Sequence, residues 1–87
     1  MKDLNESRLI IDDIDKKMKE LFIKRMETVK DIALYKKQNG LAIFDEKRES
    51  AMFERLGSDL DEDLKDYYLD FLKNVVRISK EYQKELL

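Results

Sequence analysis

Cysteine, histidine and proline are all absent from this 87-residue sequence, and glycine occurs only twice. Without cysteine there can be no disulfides or thiolate nucleophiles, and without histidine the commonest metal ligand and imidazole acid-base chemistry are missing. Any catalysis must therefore come from carboxylates, amines, guanidinium groups or amides. Clusters of β-branched and aromatic residues that would mark strands are also missing, so the sequence predicts an all-α fold.

The sequence also lacks long apolar runs and any block rich in lysine or arginine. Its 18 basic and 20 acidic residues leave a net charge of −2, so nothing in it is suited to neutralise a phosphate backbone and nucleic acid is not an expected partner. No apolar stretch approaches the roughly 20 residues of a membrane span, and the first residues lack the apolar run of a signal peptide. We therefore expect a soluble, cytoplasmic protein that does not bind membranes.

The length of the chain fits one small helical domain spanning residues 1–87. A chain this short buries little apolar surface alone and is only marginally stable, so oligomerisation is expected. Its residues are 43% hydrophobic and 44% charged, which is typical of long helices with a solvated outer face.

Three helices are predicted. Helix one, at about 4–39, has apolar residues at the three-and-four spacing of an amphipathic helix: Ile11, Ile14, Met18, Leu21, Phe22, Met26, Val29, Ile32 and Ala33. Asp3 and Glu6 can satisfy its first amides, and Asn39-Gly40 can adopt the left-handed conformation that ends a helix.

The other two helices are shorter. Asp45 is placed to cap helix two, at about 45–57, and Gly57 ends it. Ser58 with Asp61 resembles a capping box that opens helix three, at about 60–86. The predicted apolar stripe of helix three is Leu64, Tyr68, Phe71, Leu72, Val75, Tyr82 and Leu86.

Helix one is too long for its own domain. At about 1.5 Å per residue it spans roughly 50 Å, whereas a compact chain of this size has a radius of gyration of about 12 Å. Two shorter helices cannot bury both of its ends. A second copy lying antiparallel would complete the core, so the sequence predicts an intertwined homodimer.

Several polar side chains lie on faces that should point inward. In helix one, Arg25 and Lys36 continue the apolar stripe of Val29 and Ile32, and they are eleven residues apart, or about three turns on nearly the same azimuth. Helices two and three repeat the pattern with four more residues: Arg48, Glu49, Ser79 and Gln83. Because arginine can grip a carboxylate with two parallel hydrogen bonds, the set indicates an interior site for a small anion.

Each of these residues also has a simpler interpretation. Arg25 and Lys36 could lie at the edge of the stripe or form a structural ion pair with Glu49. Asp45 would then be only a cap, Ser79 would bond its own backbone, Gln83 would be solvated, and Arg8 would be ordinary surface.

The full pattern covers nearly the whole chain: Arg8, Ile14-Asp15, Leu21, Arg25, Lys36, Asp45-x-x-Arg48-Glu49, Glu54-Arg55-Leu56 and Ser79-x-x-x-Gln83. In this order and spacing it resembles the all-α chorismate mutases. The resemblance implies an intertwined homodimer and an isomerase that converts chorismate to prephenate in phenylalanine and tyrosine biosynthesis. It also implies that the reaction requires neither a metal nor a cofactor.

The resemblance also implies a role for each site residue. Lys36 and Gln83 would be catalytic and stabilise charge on the ether oxygen of chorismate. The partner's Arg8 would bind the carboxylates together with Arg25 and Arg48, assisted by Ser79, while Glu49 and the Asp45 backbone would meet the ring hydroxyl. Helix geometry supports sharing, because Arg8 lies roughly 25 Å along the helix from Arg25 and about 100° around it.

Two other functions remain open at this point. The same helical scaffold and cationic site would suit an isochorismate pyruvate-lyase, which releases pyruvate. Alternatively, the chain could be a non-catalytic helical regulatory or interaction module whose inward charges are structural.

Overall fold

The computed structural model describes residues 2–86 and contains three α-helices. They are α1 at Leu4–Gln38, α2 at Glu46–Gly57 and α3 at Glu62–Leu86. The all-α architecture predicted from the sequence is therefore present, and residues 2–86 contain no strand. Each helix begins and ends within two residues of its predicted bounds.

The caps of α1 and α2 follow from local sequence. The Asp3 carboxylate accepts a hydrogen bond from the Glu6 amide at 2.8 Å, and the Asp45 carboxylate accepts one from the Arg48 amide at 3.1 Å. Each cap satisfies an amide in a first helical turn, which has no partner within the helix.

The end of α1 depends on Gly40. Its φ of 64° lies in the left-handed region, where a residue without Cβ meets no steric penalty. This conformation lets the Leu41 amide donate to the Lys36 carbonyl at 2.8 Å, which is the long bond of a Schellman motif. The chain therefore leaves α1 in a fixed direction and enters the connection to α2.

The predicted capping box at Ser58 is wrong. The Ser58 hydroxyl donates backward to the Arg55 carbonyl at 3.0 Å, so it serves the end of α2 and does not open α3. At the start of α3, the Asp61 carbonyl accepts from the amides of Leu64 and Lys65, each at 3.0 Å. Two turn residues and a bend separate Gly57 from Asp61, which moves the start of α3 past the predicted cap.

α3 packs against both α1 and α2. The buried apolar side chains among the described residues are Val29, Ala33, Leu72 and Val76. The inward face of α3 therefore follows Leu72 and Val76, whereas Leu64 and Phe71 of the predicted stripe are 53% and 49% exposed. A core of this size covers only a small part of the apolar surface of the chain.

The N-terminal part of α1 extends beyond the other helices. Every residue from 2 to 24 is exposed, including the apolar side chains of Ile11, Ile14, Met18 and Phe22. The chain measures 54 Å along its longest axis and has a radius of gyration of 16.3 Å, well above the about 12 Å of a compact chain. The apolar stripe predicted for this part of α1 is not covered by its own chain.

The exposed surface of the chain is correspondingly large. It amounts to 7477 Å², whereas a folded monomer of 10.5 kDa exposes about 5,400 Å². No helix within residues 2–86 has the length and apolar character needed to cross a membrane.

Candidate active site

An open cavity of about 120 Å³ lies where α1, α2 and α3 approach each other. Its wall combines apolar side chains with a cluster of charged and polar ones. The apolar members are Val29, Ile32, Ile43, Met52 and Val76, and the others are Arg25, Lys36, Asp45, Arg48, Glu49, Ser79, Lys80 and Gln83. Seven of the eight site residues expected from the sequence thus line one cavity, and Arg8 does not.

The Arg25 side chain reaches from α1 to α3. Its Nη1 donates to the hydroxyl oxygen of Ser79, and the Ser79 hydroxyl donates in turn to the Val75 carbonyl at 3.0 Å. The backbone bond expected for a helical serine is therefore present, but the same oxygen also orients Arg25. Ser79 is 5% exposed, so this contact is shielded from bulk water.

Lys36 links α1 to the connection and to α3. Its Nζ donates to the Ile43 carbonyl at 2.7 Å and to Gln83 Oε1 at 3.3 Å. Both acceptors are neutral, so neither cancels the charge of the ammonium group. Gln83 is buried, in contrast to the solvated position of the simpler interpretation. With Oε1 turned toward Lys36, Gln83 Nε2 makes no hydrogen bond within residues 2–86 and can donate to a ligand.

Arg25 and Arg48 both line the cavity, and the charge of each acts on the other. Burial lowers the pKa of the Arg25 guanidinium from its ordinary value, and the nearby charge of Arg48 lowers it further. Neither guanidinium forms an ion pair in the part of the chain that the structure describes. Two like charges held together are unfavourable unless an anion joins them, so this pair is suited to bind a carboxylate.

Glu49 pairs with a residue that sequence reasoning missed. Lys80 Nζ lies 3.2 Å from Glu49 Oε1, and it also lies 4.6 Å from the centre of the Phe44 ring. Glu49 is therefore not the structural partner of Arg25 or Lys36. The sequence could have shown that Lys80 lies near the site. Lys80 directly follows Ser79 and precedes Gln83 by three residues, which places it beside the same helix face.

The charges of the cavity wall favour a ligand with negative charge. Four cationic side chains, Arg25, Lys36, Arg48 and Lys80, face two carboxylates, Asp45 and Glu49. Asp45 also caps α2, so its role as a cap and its place in the cavity wall coexist. A cavity with this imbalance is suited to a small anion. No group of three or more acidic residues suited to a metal occurs in residues 2–86.

Arg8 lies in the exposed N-terminal part of α1. Its seventeen-residue separation from Arg25 corresponds to roughly 25 Å of helix, which keeps it away from the cavity of its own chain. Its expected contribution to the site of a partner chain stays a prediction.

Comparison with known proteins gives one finding about the family. A family model described as chorismate mutase type II matches residues 7–84, which is nearly the whole chain. The comparisons with curated proteins and with solved structures give no match.

Stability measurements can show whether Arg25 is a structural or a ligand-binding residue. Arg25→Met should leave the free energy of unfolding unchanged or raise it by up to about 1 kcal/mol, because it removes a partly buried charge that repels Arg48. The gain is small because solvent screens a half-buried charge. Urea unfolding at one protein concentration, without ligand, measures the change.

The control is Arg77→Met. Arg77 pairs with Glu81 at 3.0 Å on the exposed surface of α3, and its loss should change stability by less than about 0.5 kcal/mol. If Arg25→Met instead lowers stability by more than about 1 kcal/mol, Arg25 holds the fold together and is not a ligand-binding residue.

Proposed function

Because the chain belongs to the chorismate mutase type II family, we propose that it is an isomerase that converts chorismate to prephenate in phenylalanine and tyrosine biosynthesis, acting in the cytoplasm. The observation that carries the proposal is the set of cations around the cavity. Arg25, Lys36 and Arg48 line it without forming an ion pair among the described residues. Chorismate is a small dicarboxylate, and its two negative charges match these groups.

The reaction needs no nucleophile and no acid or base. In this intramolecular rearrangement a carbon–oxygen bond breaks while a carbon–carbon bond forms, so the enzyme must hold the compact reactive conformer and stabilise charge on the ether oxygen. Arg25 and Arg48, with Ser79 fixing Arg25, would bind the carboxylates from this chain. The partner's Arg8 would add a third guanidinium.

Lys36 and Gln83 are the proposed catalytic residues. The Lys36 ammonium is held by the Ile43 carbonyl and by Gln83 Oε1, so it is oriented before substrate arrives. Gln83 Nε2 is available as a second donor. Two oriented donors directed at one oxygen favour the transition state over the ground state, because the negative charge on that oxygen grows as the bond breaks.

Glu49 and the Asp45 backbone are proposed to meet the ring hydroxyl of the substrate. Both lie at the N-terminal end of α2 and line the cavity beside Arg48. A carboxylate that accepts from a hydroxyl adds recognition without taking part in the bond changes.

The proposed active form is an intertwined homodimer. Support comes from the exposed apolar part of α1 and from a surface roughly 2,000 Å² larger than that of a compact monomer of this mass. An excess of this size matches what one protomer of an obligate dimer buries. A second copy is the proposed occupant, because its own exposed α1 would present the same apolar residues in return.

An isochorismate pyruvate-lyase and a non-catalytic helical module are the competing functions. Purified protein mixed with chorismate should remove the ultraviolet absorbance of chorismate and form prephenate. Pyruvate released from isochorismate, with no prephenate from chorismate, would favour the lyase. Failure to bind either compound would favour the module and contradict the proposed function.

Replacement of Lys36 tests the catalytic role. Lys36→Ala should lower kcat by roughly 10²- to 10³-fold, the usual effect of removing a preorganised donor to a developing oxyanion. Its matched control is Lys37→Ala, which alters the adjacent, exposed lysine of α1 and should leave kcat unchanged. Near-normal turnover of the Lys36 variant would refute its role.

Mixed dimers test whether the site is shared between chains. Arg8→Ala and Arg25→Ala should each be nearly inactive alone. When the two variants are unfolded together and refolded, activity should return to about a quarter of the unsubstituted level, because about half of the dimers are mixed and each of those has one intact site. Each variant refolded alone is the control, and no recovery in the mixture would contradict sharing.

A further inference from the structure

We propose that Lys80 is a positioning residue that orients Glu49 and the Phe44-Asp45 segment toward the substrate hydroxyl; the inference rests on the proposed function. Lys80 lies on α3, Glu49 on α2, and Phe44 in the connection that follows α1. The ammonium group of Lys80 contacts Glu49 and Phe44. Its Nζ lies 3.2 Å from Glu49 Oε1 and 4.6 Å from the centre of the Phe44 ring.

The Lys80–Glu49 pair is more protected from solvent than the other ion pairs of the described chain. The side chains of Lys80 and Glu49 are 31% and 19% exposed, whereas those of Lys17–Asp13 and Arg77–Glu81 are all more than half exposed. Less solvent means weaker screening, so this pair restrains its members more than a surface pair does. It also joins two different helices, unlike the other two pairs, which each lie within one helix.

The pairing leaves one carboxylate oxygen of Glu49 available. Oε1 accepts from Lys80, while Oε2 makes no hydrogen bond in residues 2–86. A glutamate has several rotatable bonds, and fixing one oxygen removes most of the freedom of the other. Oε2 is then held at the cavity wall, ready to accept a hydrogen bond from a hydroxyl of the ligand.

The contact with Phe44 also restrains the connection between α1 and α2. Phe44 directly precedes Asp45, whose backbone is the second group proposed to meet the ring hydroxyl. A cation over the face of an aromatic ring is attracted by the negative charge of the ring face, so Lys80 holds Phe44 against α3. One side chain therefore orders both groups that would recognise the hydroxyl.

This role predicts a particular kinetic effect. The hydroxyl is not a reacting group, so its hydrogen bond has similar strength in the ground state and the transition state, and weakening it raises KM with little change in kcat. Lys80→Met should therefore raise KM about tenfold, within the range of coupling between residues in contact. Lys36→Ala, in contrast, should act on kcat.

The experiment measures kcat and KM for chorismate in five variants, which are Lys80→Met, Lys80→Arg, Lys73→Met, Glu49→Gln and a double variant. Lys80→Arg should recover most of the loss, because arginine can still pair with Glu49 and lie over Phe44. Lys73→Met, seven residues earlier on the same side of α3 and outside the cavity, is the matched control and should leave KM unchanged. The double variant Lys80→Met with Glu49→Gln should lose less than the product of the two single losses, because Lys80 acts in part through Glu49.

Three results would overturn the inference while the proposed function stands. They are a Lys80→Met variant with normal KM, one whose loss lies entirely in kcat, and a double variant whose two losses multiply. If Lys80→Met does not fold by circular dichroism, Lys80→Gln replaces it with the same expectations. An unsubstituted protein that leaves chorismate unchanged would overturn the proposed function, and this inference with it.

Discussion

α1 carries apolar side chains along its whole length, yet α2 and α3 cover only the part of it that begins near Arg25. In a single chain, the part of α1 before Arg25 therefore has apolar side chains that no other helix covers. Exposing so much apolar surface to water is unfavourable, and a chain with four buried apolar side chains among its described residues has little else to stabilise it. The stability of the protein therefore depends on how that surface is covered.

The cations of the cavity wall contribute little to the stability of the fold, and they are the same residues that are suited to bind a ligand. Arg25 and Arg48 repel each other, and Lys36 donates to neutral acceptors, so these cations gain little from the protein around them. A fold selected for stability alone would fill the positions with apolar side chains. Cations placed in this way are suited to a ligand that supplies the missing negative charge. Glu49, the carboxylate that does have a cationic partner, is held by Lys80, so it does not neutralise the other cations.

Sequence reasoning predicted the features that depend on local interactions. Helix periodicity gave the three helices, and the caps at Asp3 and Asp45 involve residues three positions apart. The expectation for Ser58 failed because a serine hydroxyl can also donate to a backbone carbonyl of the preceding turn, and here it donates to the Arg55 carbonyl. The predicted apolar stripe of α3 included Phe71, which is 49% exposed. That helix is apolar on two adjacent faces, and periodicity alone does not say which of them faces inward.

The lining of the cavity was predictable where polar residues interrupted an apolar stripe, as at Arg25, Lys36, Ser79 and Gln83. Lys80 was missed because lysine at the edge of a helix face is usually solvated, and its partners Glu49 and Phe44 lie more than thirty residues away in the sequence. Pairings of that kind depend on how the helices pack. The same limit applies to Arg8, whose position in an assembly is not a property of one chain.

The geometry at the end of α1 makes Lys36 unusual among the cavity residues. Its carbonyl accepts the Leu41 amide in the Schellman motif, while its ammonium group binds the Ile43 carbonyl two residues further on. The helix end and the side chain are thus secured by the same short piece of chain. Surface connections normally tolerate changes of length during evolution, but one residue added or removed between Gly40 and Ile43 would take the carbonyl away from the lysine. The length of this loop is therefore constrained by the hydrogen bond between Lys36 and the Ile43 carbonyl.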